Sequence, residues 1–153
     1  MGSEMCIRDR VARLAELPQV IAIKEATGDL KRGQQIRELC DILIYSGDDA
    51  TSCDLMLEGA RGTISVTANI APAKLSTMAV AAVNGDVETA KAIDEELQGL
   101  HEKLFLESNP IPVKWALSQL GKIEAGIRLP MTPFTEKYHV ELRAAMHQAG
   151  VIN

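Results

Sequence analysis

Lys24 is the residue of this sequence whose position best suits it to covalent chemistry. It directly follows the apolar run Val20–Ile23, which has the pattern of a strand that is buried on both faces. Side chains alternate along a strand, so Lys24 shares a face with Val20 and Ala22, and burial over that face would favour the neutral amine. A neutral lysine amine can attack a ketone and form an imine. The same position also suits an ordinary lysine that extends from a strand end into solvent.

Two more groups of small and polar residues follow apolar runs in the same way. Gly47, Asp48 and Asp49 come after one run, and Ser65–Asn69 ends another. In a parallel sheet the functional groups collect at the C-terminal ends of the strands, so we expect these groups to converge with Lys24. The two aspartates could form a general acid/base pair, although capping the next helix is the more ordinary role for one of them.

Gly47 and Ile64 each have two interpretations. Gly47 either lets a substrate approach the backbone closely or simply makes the turn after the second run. Polar and apolar residues alternate around Ile64, so either set could line a pocket, and backbone groups there could bind a carboxylate. The residues alone leave these alternatives open.

The elements that must position these residues alternate between strand and helix. Three apolar runs predict strands, and a helical pattern follows each of them: Val20–Ile23, Ile42–Tyr45 and Gly62–Val66. This βα repetition indicates a parallel sheet, which either a partial barrel or an open doubly wound sheet would contain. The G-x-G-x-x-G fingerprint of a dinucleotide site follows none of the three runs.

Capping and breaking residues mark the predicted helices. Asp29 is expected to cap one helix, Gly59 to end the next, and Pro72 to open the one after it. Thr135 and Gly150 are expected to bound the last helix. No strand is predicted after residue 72, and helices are predicted over 11–17, 30–40, about 50–58, 72–83, 86–106, 112–120 and 135–149.

The composition argues against several classes of function. With 46% hydrophobic and 24% charged residues, the 153-residue chain resembles globular proteins. A net charge of -5 and only 3% aromatic residues argue against nucleic-acid binding, which needs basic grooves and stacking platforms. No stretch approaches the roughly 20 apolar residues of a membrane span, so no membrane partner is expected. The cysteines and histidines lack metal-ligand or redox spacing, so we predict reduced thiols and no metal site.

Five segments taken together resemble a known family. They are Ile21–Asp29, Ser46–Asp49, Gly62–Asn69, Asn109–Ala116 and Leu129–Pro133. Their sequences and order are similar to those of the pyruvate-dependent class I aldolases and lyases, and most closely to the dihydrodipicolinate synthases. The resemblance extends in register from about residue 11 to residue 153.

The resemblance implies an α/β fold that is a partial (β/α)8 TIM barrel followed by a C-terminal all-helical region. About the last three barrel strands would lie in residues 11–83, and the helical region in 84–153. Residues 1–10 fit poorly with the segment after them and contain no signal-peptide core, so we expect them to be a foreign or unassigned leader.

The resemblance also implies a reaction and roles for individual residues. The reaction is a lyase-type condensation of pyruvate with L-aspartate-4-semialdehyde in lysine and diaminopimelate biosynthesis, carried out without a cofactor by cytoplasmic homotetramers. Lys24 matches the catalytic lysine that forms the imine with pyruvate. Gly47 and Ile64 match substrate-binding positions, Gly47 by lining the pocket and Ile64 through its backbone.

Part of the family pattern has no counterpart in this sequence. A full barrel needs roughly 250 residues, and the threonine pair, tyrosine proton relay and pocket arginine of the family are absent. Imine chemistry without its proton relay loses general acid–base catalysis, so we expect this chain alone to be inactive or nearly so. Two alternatives are a sister enzyme, such as an N-acetylneuraminate lyase or a keto-deoxy sugar-acid aldolase, and a non-catalytic α/β binding module in which Lys24 is solvated.

Overall fold

The computed structural model describes residues 3–153, which form seven α-helices and two parallel β-strands. The strands are β1 (Ala22–Glu25) and β2 (Leu43–Ser46). The α-helices are α1 (Ser3–Ala15), α2 (Leu30–Leu39), α3 (Ser52–Leu57), α4 (Pro72–Val83), α5 (Val87–Lys103), α6 (Ile111–Gln119) and α7 (His139–Gln148). Short 3-10 helices span Thr67–Asn69 and Glu136–Tyr138.

The predicted parallel pairing of the first two strands is confirmed, with a shift in their ends. β1 pairs with β2 in the register Lys24 to Tyr45 and Glu25 to Ser46. Lys24 and Glu25 therefore lie in the strand and not in the loop that was expected to follow it. Polar residues are accommodated there because Lys24 is exposed to solvent and Glu25 is paired with Arg32.

The prediction of a third strand over Gly62–Val66 is wrong. Thr63 forms only an isolated parallel bridge with Ser46, and the backbone of Val66 is already helical, with φ -73° and ψ -40°. The physical reason is that the amides of Val66 and Thr67 donate to the Asp49 carboxylate, so they are not available for a ladder.

Most of the predicted capping residues act as expected. The Asp29 side chain accepts a hydrogen bond from the Lys31 amide at the start of α2. Pro72 opens α4, and Gly59 and Gly150 follow α3 and α7 with φ of +110° and +65°. Thr135 differs from the prediction, because it precedes the 3-10 helix Glu136–Tyr138 and not α7, and its hydroxyl donates to Glu107 and makes no capping hydrogen bond.

Helix α1 begins earlier than the helix predicted over 11–17. It starts at Ser3 and ends at Ala15, so most of the expected leader lies within it, while residues 1–2 fall outside the described residues. The origin of residues 1–10 as a foreign leader stays a prediction.

The hydrophobic core lies between the helices and one face of the sheet. Ile44 on β2 is buried in the same cluster as residues of α3, α4, α5 and α7. The largest fully buried side chains include Ile36, Met56, Met78, Leu97, Leu100, Leu104, Leu142 and Met146. Residues on both sides of residue 84 contribute to this core, and the division of the chain at that residue stays a prediction. No helix within residues 3–153 is long and apolar enough to cross a membrane.

Candidate functional site

An open cleft of about 520 Å³ lies at the C-terminal ends of the strands. It brings together the three site residues that the sequence singled out: Lys24, Gly47 and Ile64. Other lining residues come from the loop after Ile64, from the segment between α5 and α6, and from α6: Ser65, Val66, Asn69, Phe105, Asn109, Pro110, Val113, Lys114 and Leu117. The expected convergence of the strand ends is therefore present.

Gly47 gives the Lys24 side chain its path into the cleft. A Cβ atom on Gly47 would lie 2.3 Å from Lys24 Cε and 2.8 Å from Lys24 Cγ, far inside van der Waals contact. The Gly47 amide donates to the Glu25 carbonyl at 2.7 Å, which holds the glycine backbone against β1. Only a residue without a side chain fits between this backbone and the lysine.

Glu25 fixes the loop that follows Lys24. Its carboxylate is buried, accepts hydrogen bonds from the Thr27 amide and hydroxyl, and pairs with the Arg32 Nε at 3.3 Å. Because adjacent side chains of a strand point to opposite faces, this anchor lies behind the sheet while Lys24 lies in front of it.

The Ile64 backbone lies beside the end of β2. Its amide donates to the Ser46 carbonyl at 2.8 Å, and the Ser46 amide donates to the Gly62 carbonyl at 2.9 Å. The Ile64 amide is therefore not free to bind a carboxylate. Its carbonyl oxygen is the backbone atom that could contact a ligand, and it would accept a hydrogen bond from one.

Asp48 and Asp49 bind nearby loop residues and do not line the cleft, so they do not form an acid/base pair there. Asp48 accepts hydrogen bonds from the amide and hydroxyl of Thr51, at 3.1 and 2.8 Å, in the turn that leads into α3. This matches the capping role predicted for one of the two aspartates. The Asp49 carboxylate is buried and accepts from the Val66 amide at 2.9 Å and the Thr67 amide at 3.0 Å.

A buried polar cluster continues from Asp49 into helix α5. We define this cluster as Asp49, Thr67, Asp94 and His101. The Thr67 hydroxyl lies 3.2 Å from Asp49 Oδ2 and 2.8 Å from His101 Nδ1, and His101 Nε2 lies 3.6 Å from Asp94 Oδ1. Buried polar groups of this kind are costly unless they are paired, so the cluster constrains how the loop meets α5.

Sequence reasoning missed the buried polar cluster and several cleft residues. The Thr67–His101 contact joins positions 34 apart, and no local pattern announces it. Asn109 and Lys114 lie in a segment that contributed to the family resemblance, which is the signal that could have placed them near the site.

The two cysteines whose side chains the structure describes, Cys40 and Cys53, do not line this cleft. Burial raises the pKa of the Cys53 thiol to about 11, and the nearby Asp94 carboxylate contributes to the increase. Cys40 and Cys53 are free thiols. Among the residues that the structure describes, no group of three histidine, cysteine, aspartate or glutamate side chains is arranged to hold a metal ion.

The paired strands and the open cleft define a class of protein with a parallel βα sheet and a lysine site at its C-terminal edge. The dihydrodipicolinate synthetase family matches residues 2–149, and the chain belongs to that family. This confirms the resemblance that the sequence motifs indicated.

Curated relatives and solved structures agree with the family assignment. The 4-hydroxy-tetrahydrodipicolinate synthase of Alcanivorax borkumensis is 53% identical over 94% of this chain and 50% of that protein. The corresponding synthase of Stutzerimonas stutzeri is 54% identical over 99% of this chain and 53% of that protein. The chain thus spans about half the length of the curated relatives it matches.

Among solved structures, the chloride-inhibited dihydrodipicolinate synthase from Acinetobacter baumannii in complex with pyruvate superposes with a TM-score of 0.91. The two chains are 49% identical, and the match covers 95% of this chain and 50% of the Acinetobacter chain. The dihydrodipicolinate synthase from Thermotoga maritima gives a TM-score of 0.89 at 34% identity, over 95% of this chain and 51% of its own. The fold of this chain is therefore that of one half of such proteins.

Proposed function

We propose that this chain is the lysine-bearing part of a 4-hydroxy-tetrahydrodipicolinate synthase. In this proposal β1, β2 and the segment around Ile64 belong to a larger barrel, and Lys24 forms an imine with pyruvate. The observation that carries the proposal is the shared cleft of Lys24, Gly47 and Ile64 in a chain of this family.

The proposed chemistry uses Lys24 as the nucleophile. The Nζ atom attacks the carbonyl carbon of pyruvate, and loss of water leaves an imine. The protonated imine withdraws electrons, so the methyl group can lose a proton and give an enamine. The enamine carbon then attacks the aldehyde of L-aspartate-4-semialdehyde. Gly47 would line the pyruvate pocket, and the Ile64 carbonyl would accept a hydrogen bond from the bound molecule.

The exposure of Lys24 bears on whether this chain can catalyse the reaction by itself. Desolvation favours a neutral amine, but Lys24 is exposed within the described residues. The non-catalytic alternative expected such a solvated lysine. In our proposal, the rest of the barrel covers the cleft and supplies the missing acid–base groups, so this chain turns over little or no substrate by itself.

Complementation tests the proposal. This chain is mixed with the half of the Alcanivorax borkumensis synthase that it does not cover, and condensation of the two substrates is measured. We expect activity from the mixture and not from either part. A Lys24→Arg variant should abolish that activity, while Lys122→Arg, an exposed lysine outside the cleft, should leave it unchanged. Equal activity of the two variants would refute the role of Lys24.

A further inference from the structure

The Asp49 carboxylate binds the backbone of the loop that lines the cleft together with Lys24. One oxygen, Oδ2, accepts hydrogen bonds from the Val66 amide, the Thr67 amide and the Thr67 hydroxyl, at 2.9, 3.0 and 3.2 Å. Hydrogen bonds to a charged acceptor are about twice as strong as neutral ones. These contacts bend the chain out of the extended conformation at Val66, where the predicted third strand stops.

This bend shapes the cleft. Ile64, Ser65, Val66 and Asn69 all line it, and Thr67 sits behind them with no exposed surface. The Ala68 amide also donates to the Ser65 hydroxyl at 3.0 Å, which closes the turn from the other side. A shift of the Asp49 carboxylate therefore moves the backbone on which Ile64 lies.

The Thr67 hydroxyl connects Asp49 to helix α5 through His101. We call the hydrogen bonds that Asp49 accepts from Val66 and Thr67 the anchor. A hydroxyl has one proton, and donating it to the Asp49 carboxylate leaves Thr67 Oγ1 as an acceptor. His101 Nδ1, at 2.8 Å, must then be the donor to Thr67, which assigns the proton of that ring nitrogen. The order of hydrogen bonds is thus from His101 to Thr67 to Asp49.

We propose that Asp49 is a positioning residue for the Lys24 reaction, and that Thr67 and His101 hold it in place from α5. This inference rests on the proposed function, since it assigns to the same cleft the groups that set its shape. Asp49 does not line the cleft and acts through the backbone of residues 64–67. Loss of the anchor should weaken pyruvate binding more than it slows the chemical step.

The test compares two substitutions of Thr67 that differ by the hydroxyl. Thr67→Val keeps the shape and removes the hydrogen bonds of the hydroxyl to Asp49 and His101, whereas Thr67→Ser keeps the hydroxyl. The rate of borohydride trapping of pyruvate is measured against pyruvate concentration in the complemented protein. We expect Thr67→Val to raise the half-saturating concentration about 5- to 10-fold with little change in the maximal rate. Thr67→Ser should behave as the unsubstituted chain.

A buried residue outside the cluster controls for lost stability. Leu142→Ala, in α7, should lower the melting temperature and leave the half-saturating pyruvate concentration unchanged. An unchanged half-saturating concentration in Thr67→Val would overturn the proposal, and so would an equal increase in Leu142→Ala. If Thr67→Val does not fold, His101→Gln gives the same comparison from the α5 side.

Amide hydrogen exchange separates this inference from the proposed function. If the unsubstituted protein forms no pyruvate adduct, the proposed function fails. The anchor is then tested by exchange at Val66 and Thr67, which should be much faster in Thr67→Val than in Thr67→Ser, with α4 amides unchanged. Equal exchange at these amides in the two variants would show that the Thr67 hydroxyl does not stabilise their hydrogen bonds to Asp49.

Discussion

The two faces of the short sheet are used in opposite ways. On the helix-packed face, Glu25, Ile44 and Ser46 are 4%, 2% and 0% exposed. On the cleft face, Lys24 is exposed, and Leu43 is 40% exposed. The lysine that we propose as the nucleophile thus lies on an open surface, while the neighbouring Glu25 is buried and paired with Arg32 on the other face of the sheet.

The same division separates the cleft from the buried polar cluster. The cleft is lined by Lys24, Gly47 and Ile64, and the Lys24 side chain is exposed to solvent. The cluster of Asp49, Thr67, Asp94 and His101 lies outside the cleft lining and is almost wholly buried. In our proposal the chemistry and the positioning are carried by different residues, so substitutions should separate the two.

The largest expected effect is a loss of stability when a residue on the buried face of β2 is truncated, compared with its neighbour on the open face. Ile44→Ala should lower the free energy of unfolding by about 2–5 kcal/mol because it leaves a cavity in the core. Leu43→Ala, on the open face, should cost about 1 kcal/mol or less. Urea denaturation followed by circular dichroism measures both. Equal losses would mean that the cleft face is covered in solution.

The next effect concerns the contact between Gly47 and Lys24. Gly47→Ala places a Cβ 2.3 Å from Lys24 Cε, so it should reduce pyruvate trapping at Lys24 about 10-fold or more. Gly99→Ala is the matched control, because its new Cβ meets first the flexible end of Gln148, outside the cleft. Unchanged trapping in Gly47→Ala would show that Lys24 reaches pyruvate by another path.

A smaller effect should follow from the ionisation of Cys53. The pKa of Cys53 in the folded chain is about 11, whereas the pKa of a thiol in an unfolded chain is about 8.5. The raised pKa means that its stabilising contribution is complete below the unfolded value and is lost as the pH rises toward 11. Denaturation midpoints should therefore fall less steeply above about pH 9 in Cys53→Ala than in the unsubstituted chain. Parallel pH profiles would contradict this.

The smallest effect is expected at an ion pair on the surface. The Lys91 ammonium donates to the Asp54 carboxylate between α5 and α3, and this hydrogen bond raises the pKa of Lys91. Both side chains are nearly half exposed, so Lys91→Met should change the free energy of unfolding by about 1 kcal/mol or less. Added salt should reduce the difference. A larger, salt-insensitive loss would place this pair among the buried anchors.

Sequence patterns predicted the parts of the fold that depend on local chemistry. Apolar runs located β1 and β2, and Asp29 and Pro72 located the starts of α2 and α4. The third strand was mispredicted because its end depends on a hydrogen bond from Val66 to Asp49, across 17 residues. Local alternation carries no information about such a contact.

The candidate site divides in the same manner. The convergence of Lys24, Gly47 and Ile64 on one cleft could be predicted because strand ends of a parallel sheet converge and because the motifs resemble a family. The role of His101 could not be predicted, since it depends on how α5 packs behind the loop.

We propose that Lys24 is the pyruvate-binding amine. The most direct test of this proposal is to incubate the complemented protein with pyruvate, reduce with borohydride, and map the adduct by mass spectrometry. We expect a reduced pyruvate adduct on Lys24 that is lost in Lys24→Arg and retained in Lys122→Arg. No adduct on Lys24, or equal modification of exposed lysines throughout the chain, would contradict it.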